Sequence, residues 1–195
     1  MAGRLILLCL VAVGMLVADP LANWSADYPP CNRRSELLKH GPLSLGVRFN
    51  TANPILAQQF RKAMDFWAGV LDLEWHEDST GNCSMEVSDG ERQLFEPTPD
   101  NMVARSQFPD RQDFQGWIVF NPALTLTPAE LYRISVHEIG HMLGLKHNPD
   151  TRSVMYNIDL ECSEELDAAD LASLSAHHKL RATPVTETIK FARPR

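Results

Sequence analysis

The run from His137 to His147, His-Glu-Ile-Gly-His-Met-Leu-Gly-Leu-Lys-His, constrains this chain more than any other stretch. His137 and His141 stand one helical turn apart, which puts both imidazoles on the same helix face. Two nitrogens so placed can share one Zn²⁺ at roughly 2.0–2.1 Å each. Glu138 lies one step round the helix, near that metal but not placed to ligate it. A carboxylate there can take a proton from zinc-bound water, so Glu138 is the candidate general base. Gly144 can enter the left-handed region and reverse the chain, bringing His147 back as a third ligand. Three protein ligands leave one position for water, the pattern of a catalytic rather than a structural zinc. The plain alternative is a helix with solvated histidines. Average residue usage makes the full pattern a coincidence on the order of one in 10⁵ chains. Ile139, Met142, Leu143 and Leu145 would also half-bury such a helix.

The signature H-E-x-x-H-x-x-G-x-x-H resembles that of metzincin metallopeptidases. Ser153-Val154-Met155-Tyr156 is similar to their Met-turn, whose Met packs beneath the ligands without binding the metal. Met155 on its own would be an ordinary core methionine; its distance from His147 is what gives it meaning. The string as a whole is most similar to the matrixin branch. Tyr156 directly follows Met155 and is not assigned as a ligand. Asn148 stands where matrixins usually carry Ser or Thr.

A chain of 195 residues, 44% hydrophobic and 22% charged, can bury the core of one domain. Its net charge of −7 is spread along the chain, and no basic stripe argues for nucleic acid. Arg4, the apolar run Leu5–Ala18 and the small residues Val17-Ala18 predict a signal peptide over residues 1–18, too short for a comfortable membrane span. The expected location is secreted and extracellular, or periplasmic in a Gram-negative cell, with no stable membrane insertion once the leader is removed. Residues 19–42 form an N-terminal segment. Cys31, Cys83 and Cys162 would then lie in an oxidising compartment, where one disulfide is expected and its pairing stays open. Pro29-Pro30-Cys31-Asn32-Arg33 is also a faint echo of the matrixin latency motif, lacking its Gly and Asp.

The regular pattern begins at Leu43. Leu43, Leu45, Val47 and Phe49 alternate with polar or small residues, the period of a half-buried strand. Asn53 and Pro54 open a helix whose core face is Leu56, Phe60, Ala63, Met64, Trp67, Val70 and Leu71. Leu73–His76 and Ser84–Ser88 predict further strands, with a turn at Gly81-Asn82 and His76 solvated. Met102–Pro109 resembles the edge strand above the matrixin cleft, which would hold substrate as an added strand through Val103, Ala104 and Arg105. Gly116–Asn121 is expected as the last strand. Arg105, Val119 and Asn121 fall where many matrixins carry ligands for a structural zinc and a calcium; the resemblance therefore implies that both are absent here. Thr127-Pro128-Ala129-Glu130 reads as a capping box opening the zinc helix. Asn157 and Ile158 are expected in the pocket wall for the residue after the scissile bond. Leu166–Leu180 is expected as a closing helix capped by Asp167. By resemblance, Asp170 is the acid that pairs with the mature N-terminus. His177 and His178 point about 100° apart, cannot easily chelate one ion, and are read as a helix end favoured by the dipole. Residues 181–195 read as a loose polar tail.

The expectation is an α+β, zincin-like catalytic domain over residues 43–180: a twisted, mostly parallel five-stranded sheet, two long helices, a Met-turn and a C-terminal helix. The expected function is that of a monomeric, secreted zinc endopeptidase acting on protein or peptide with one catalytic Zn²⁺. A non-cleaving zinc-binding interaction module and a zinc exopeptidase or amidase are the rivals. The intact Glu138 weighs against the first, because binding alone needs no carboxylate there.

Overall fold

The computed structural model describes residues 42–78, 83–91, 95, 102–107, 114–156, 165–176, 178–181 and 189–190. The leader, Cys31, Cys162, the Gly81-Asn82 turn, Asn157, Ile158 and His177 lie outside them.

The alternation read from residue 43 forms strand β1 (Leu43–Asn50), with Leu43, Leu45 and Val47 buried and Ser44 and Arg48 exposed. Helix α1 (Pro54–Val70) starts where the Asn53 side chain accepts from the amides of Ile55 and Leu56. All seven residues expected on its core face are buried, as is Gln59. Strands β2 (Leu73–His76), β3 (Cys83–Asp89), β4 (Ala104–Gln107) and β5 (Phe114–Phe120) follow. They assemble with β1 in the order β2-β1-β3-β5-β4. Every pairing is parallel except β4 with β5, which is antiparallel and puts β4 at the edge. The mostly parallel five-stranded sheet is thus as expected. The edge strand is shorter than the 102–109 stretch read from sequence, and Phe108 and Pro109 lie outside the described residues.

Pairing sets one cross-sheet row: Phe49 beside Val87, Val87 beside Ile118, Ile118 beside Ser106. Ile118 and Val87 are fully buried, so this row faces the helices. Trp117, next along β5, is 38% exposed and faces the other side.

Helix α2 (Pro128–Met142) packs on α1 behind the sheet. Its capping box forms as expected: the Thr127 hydroxyl accepts from the Glu130 amide, and the Glu130 carboxylate accepts from the Thr127 amide at 2.6 Å. Trp67 of α1 is wholly buried and donates its indole N–H to the Val136 carbonyl at 3.1 Å, tying the two helices together one residue before His137.

The C-terminal part departs from expectation. Gly116–Asn121 is not the last strand: β6 (Glu165–Leu166) and β7 (Ile189–Lys190) pair antiparallel in a second, two-stranded sheet. The tail is therefore held at that point rather than loose. Helix α3 is Ala168–Ser175, not 166–180. Leu166 belongs to β6, and Asp167 caps the helix through the amides of Ala169 and Asp170. Beyond the helix the chain is drawn back to α1. The Asp72 amide donates to the Lys179 carbonyl at 2.8 Å, Leu180 bridges Leu71, and the Arg181 amide donates to the Val70 carbonyl at 2.9 Å.

Candidate metal centre

Helix α2 delivers the first two histidines, and its end delivers the third. Gly144 has φ 96°, the left-handed conformation anticipated for it. The Leu145 amide donates back to the Gly140 carbonyl and the Gly144 amide to the His141 carbonyl, each at 2.9 Å, the paired bonds of a Schellman motif. This reversal folds His147 over the helix end. The Nε2 atom of His141 lies 3.1 Å from that of His137 and 3.1 Å from that of His147.

The rings are set by carbonyls. His137 Nδ1 lies 2.7 Å from the Val154 carbonyl oxygen, and His141 Nδ1 lies 2.9 Å from that of Leu145. A carbonyl only accepts, so each Nδ1 carries the hydrogen and each Nε2 presents a lone pair. His137 and His141 are also 6% and 8% exposed. Burial first, and then the neighbouring His141, push the His137 pKa well below the ordinary histidine value, which keeps its ring neutral. Two buried lone pairs held this close repel unless a cation sits between them. The donor set therefore fits Zn²⁺: three imidazole nitrogens, all within 4.8 Å of one another, with the tautomers of His137 and His141 fixed from behind.

The Met-turn lies beneath. Val154 supplies the carbonyl for His137, and Met155 is completely buried. A Cβ added to Gly140 would stand 2.6 Å from Met155 Sδ and 3.3 Å from Trp67 Cζ2. The glycine inside the signature is thus needed for close packing, a requirement its sequence position alone does not reveal. The turn is braced by Asn148, whose amide donates to the Met155 carbonyl at 2.9 Å. The Asn148 side chain donates to Asp167 at 2.9 Å and to Asp170 at 3.0 Å. Asp170 also accepts from the Ser153 hydroxyl at 2.7 Å, so this acid joins α3 to the Met-turn. The mature N-terminus lies outside the described residues.

Glu138 is 7% exposed, and its Oε2 accepts from the Ser106 hydroxyl at 2.6 Å. Burial raises its pKa, against the pull of His141 and the Ser106 hydrogen bond. Ser106 was missed from sequence, where β4 was read for its backbone alone. The signal was the period of two: counting from buried Ala104, Ser106 shares the inner face.

Of the residues expected at the substrate edge, Val103 gives its carbonyl to the Asn121 amide at 2.9 Å, Ala104 is buried at the start of β4, and Arg105 pairs with Val119. Asn121 donates its side-chain amide to the Met102 carbonyl at 2.9 Å and accepts from the Ala123 amide, an Asx turn closing β5. His76 is half-buried on β2, with its Nε2 3.1 Å from Asp78 Oδ1. His178 is a correction. It is 4% exposed, and its Nε2 donates to the Leu143 carbonyl at 2.8 Å. That carbonyl sits at the end of α2, so His178 is part of the packing; α3 stops at Ser175 and does not carry it as a helix end.

Taken together, the edge-stranded sheet, the helix with its glycine reversal and the Met-turn form the architecture of a metzincin catalytic domain. The matrixin family model matches residues 48–178, well over half of the chain, and the chain belongs to the matrixin family. It is similar to Matrix metalloproteinase-A of Caenorhabditis elegans, at 23% identity over 178 residues. That alignment covers 87% of this chain and 32% of the relative, so the chain spans about a third of the relative's length. Family and histidine cluster together point to a catalytic zinc.

Proposed function

We propose that the chain is a secreted zinc endopeptidase in which Glu138 carries the proton. The observation that carries this reading is the side-by-side placement of three converging imidazole nitrogens and a buried carboxylate on the next residue of the same helix. A zinc ion held by His137, His141 and His147 would acidify a water and polarise the scissile carbonyl. Glu138 accepts the proton of the attacking water and delivers it to the leaving amine. Strand β4 pairs only with β5 among the described residues, which supports substrate binding as an added strand along its outer edge. An edge with no further strand among the described residues favours internal cleavage over removal of terminal residues. The leader over residues 1–18, a disulfide among Cys31, Cys83 and Cys162, and a pocket wall at Asn157 and Ile158 belong to the same proposal. Among the described residues no helix is long and apolar enough to cross a membrane.

The test compares wild type with Glu138→Ala on a peptide blocked at both ends. Wild type is expected to cut it internally. The variant is expected to retain zinc and lose roughly 10²-fold or more in kcat/KM. Equal cleavage by both proteins would remove Glu138 from the mechanism, and failure of wild type to cut blocked peptides would remove the endopeptidase reading.

A further inference from the structure

The Ser106 hydroxyl occupies one of the two carboxylate oxygens of Glu138. The bond is short, 2.6 Å, and joins two independent elements: Ser106 rides on the edge strand, Glu138 on the zinc helix. Its setting is fixed on both sides. Ser106 pairs with Ile118, which is fully buried, so the pleat turns the Ser106 side chain inward toward α2. Glu138 is held by a capped helix that is itself tied to α1 through Trp67.

We propose that Ser106 is a positioning residue that commits Glu138 to work through its other oxygen, Oε1. The proposal rests on Glu138 being the proton carrier. A carboxylate can accept a proton on either oxygen, and the Ser106 hydroxyl already sits on one of them. A hydroxyl donating to Oε2 disfavours protonation there, because a proton on that oxygen would oppose the hydroxyl hydrogen. The proton lost by the attacking water therefore goes to Oε1. It leaves from Oε1 to the amine nitrogen as the C–N bond breaks, and Glu138 is again a carboxylate. The Ser106 hydrogen stays on its own oxygen throughout, so one proton is taken and one returned. The same hydroxyl restricts rotation of the carboxylate, so the acid keeps its orientation between the two transfers. Because Ser106 lies on the strand proposed to hold the substrate, one hydrogen bond also sets the base in register with the peptide.

The test uses Ser106→Ala, Ser106→Thr, Glu138→Ala and the Ser106→Ala/Glu138→Ala double variant, each purified with zinc and assayed on the blocked peptide. Ser106→Ala is expected to lower kcat roughly 10-fold, with KM within about twofold and zinc content unchanged. Ser106→Thr, which keeps the hydroxyl, is expected to recover most of that loss. The double variant is expected to match Glu138→Ala, because Ser106 acts only through Glu138. Wild-type kcat in Ser106→Ala with Glu138→Ala inactive overturns the role of Ser106 alone. A further loss in the double variant overturns it too, as does an equal loss in Ala and Thr accompanied by lost zinc. Full activity in Glu138→Ala overturns the underlying reading instead.

Discussion

Replacing Gly144 tests the claim that one backbone reversal delivers the third ligand. At φ 96° a side chain meets its own backbone, and the left-handed region costs an L-residue about 1–2 kcal/mol. Alanine recovers part of this, about 0.4–1 kcal/mol, by restricting the unfolded chain. The net cost of Gly144→Ala is then about 1 kcal/mol. For a domain of this size that corresponds to a fall in Tm of roughly 2–4 °C. The turn is closed by backbone bonds from Gly144 to His141 and from Leu145 to Gly140, which need no metal. The fall should therefore already appear in chelator-treated protein. Any part of the strain relieved by opening the turn moves His147 away and releases Leu145, whose carbonyl orients His141. Zinc affinity should fall as well, by up to roughly tenfold, since 1.4 kcal/mol corresponds to that factor. Asparagine tolerates the left-handed region better than alanine. The expected order of stability is Gly, then Asn, then Ala, read by thermal melts of the metal-free protein and by competition with a chromogenic chelator. An alanine variant as stable and as zinc-avid as wild type, or an asparagine variant worse than alanine, would refute the reasoning.

Two further outcomes are expected. His147→Ala should lower zinc affinity roughly 100-fold or more while leaving the apo fold nearly unchanged, because His147 is only half-buried and lies outside α2; unchanged chelator competition would remove it from the ligand set. Burial raises the pKa of Asp170 despite its three hydrogen-bond donors, so the folded protein holds that proton more tightly than the unfolded chain. Its contribution favours folding below the ordinary aspartate value of about 4 and is lost as pH rises through the higher folded value. The Tm of wild type relative to Asp170→Asn should fall across that interval, and a rise would show that the hydrogen bonds outweigh burial.

Local signals were strong enough to specify the elements that present the site. The Asn53 and Thr127 caps, the apolar face of α1 and the spacing from His137 to His147 each depend on residues close in sequence, where helix geometry converts spacing into direction. The resemblance placed Met155, and the structure set it against Gly140. The closing helix was read too long, over Leu166–Leu180, because Leu166 and Leu180 are in fact captured by a distant strand and a bridge. Pairing of that kind leaves no local trace. His178 was misread for the same reason, since its partner, the Leu143 carbonyl, lies at the end of α2, far away in sequence.

The sequence alone therefore determined which residues could meet a metal, because ligand spacing on one helix and one glycine turn is a local property of the chain. Tertiary packing alone decided how those residues are held: Val154 behind His137, Asp170 under the Met-turn, Ser106 against Glu138. Each of these bonds joins segments that sequence order keeps apart, and only the burial of a common core brings them within hydrogen-bonding reach.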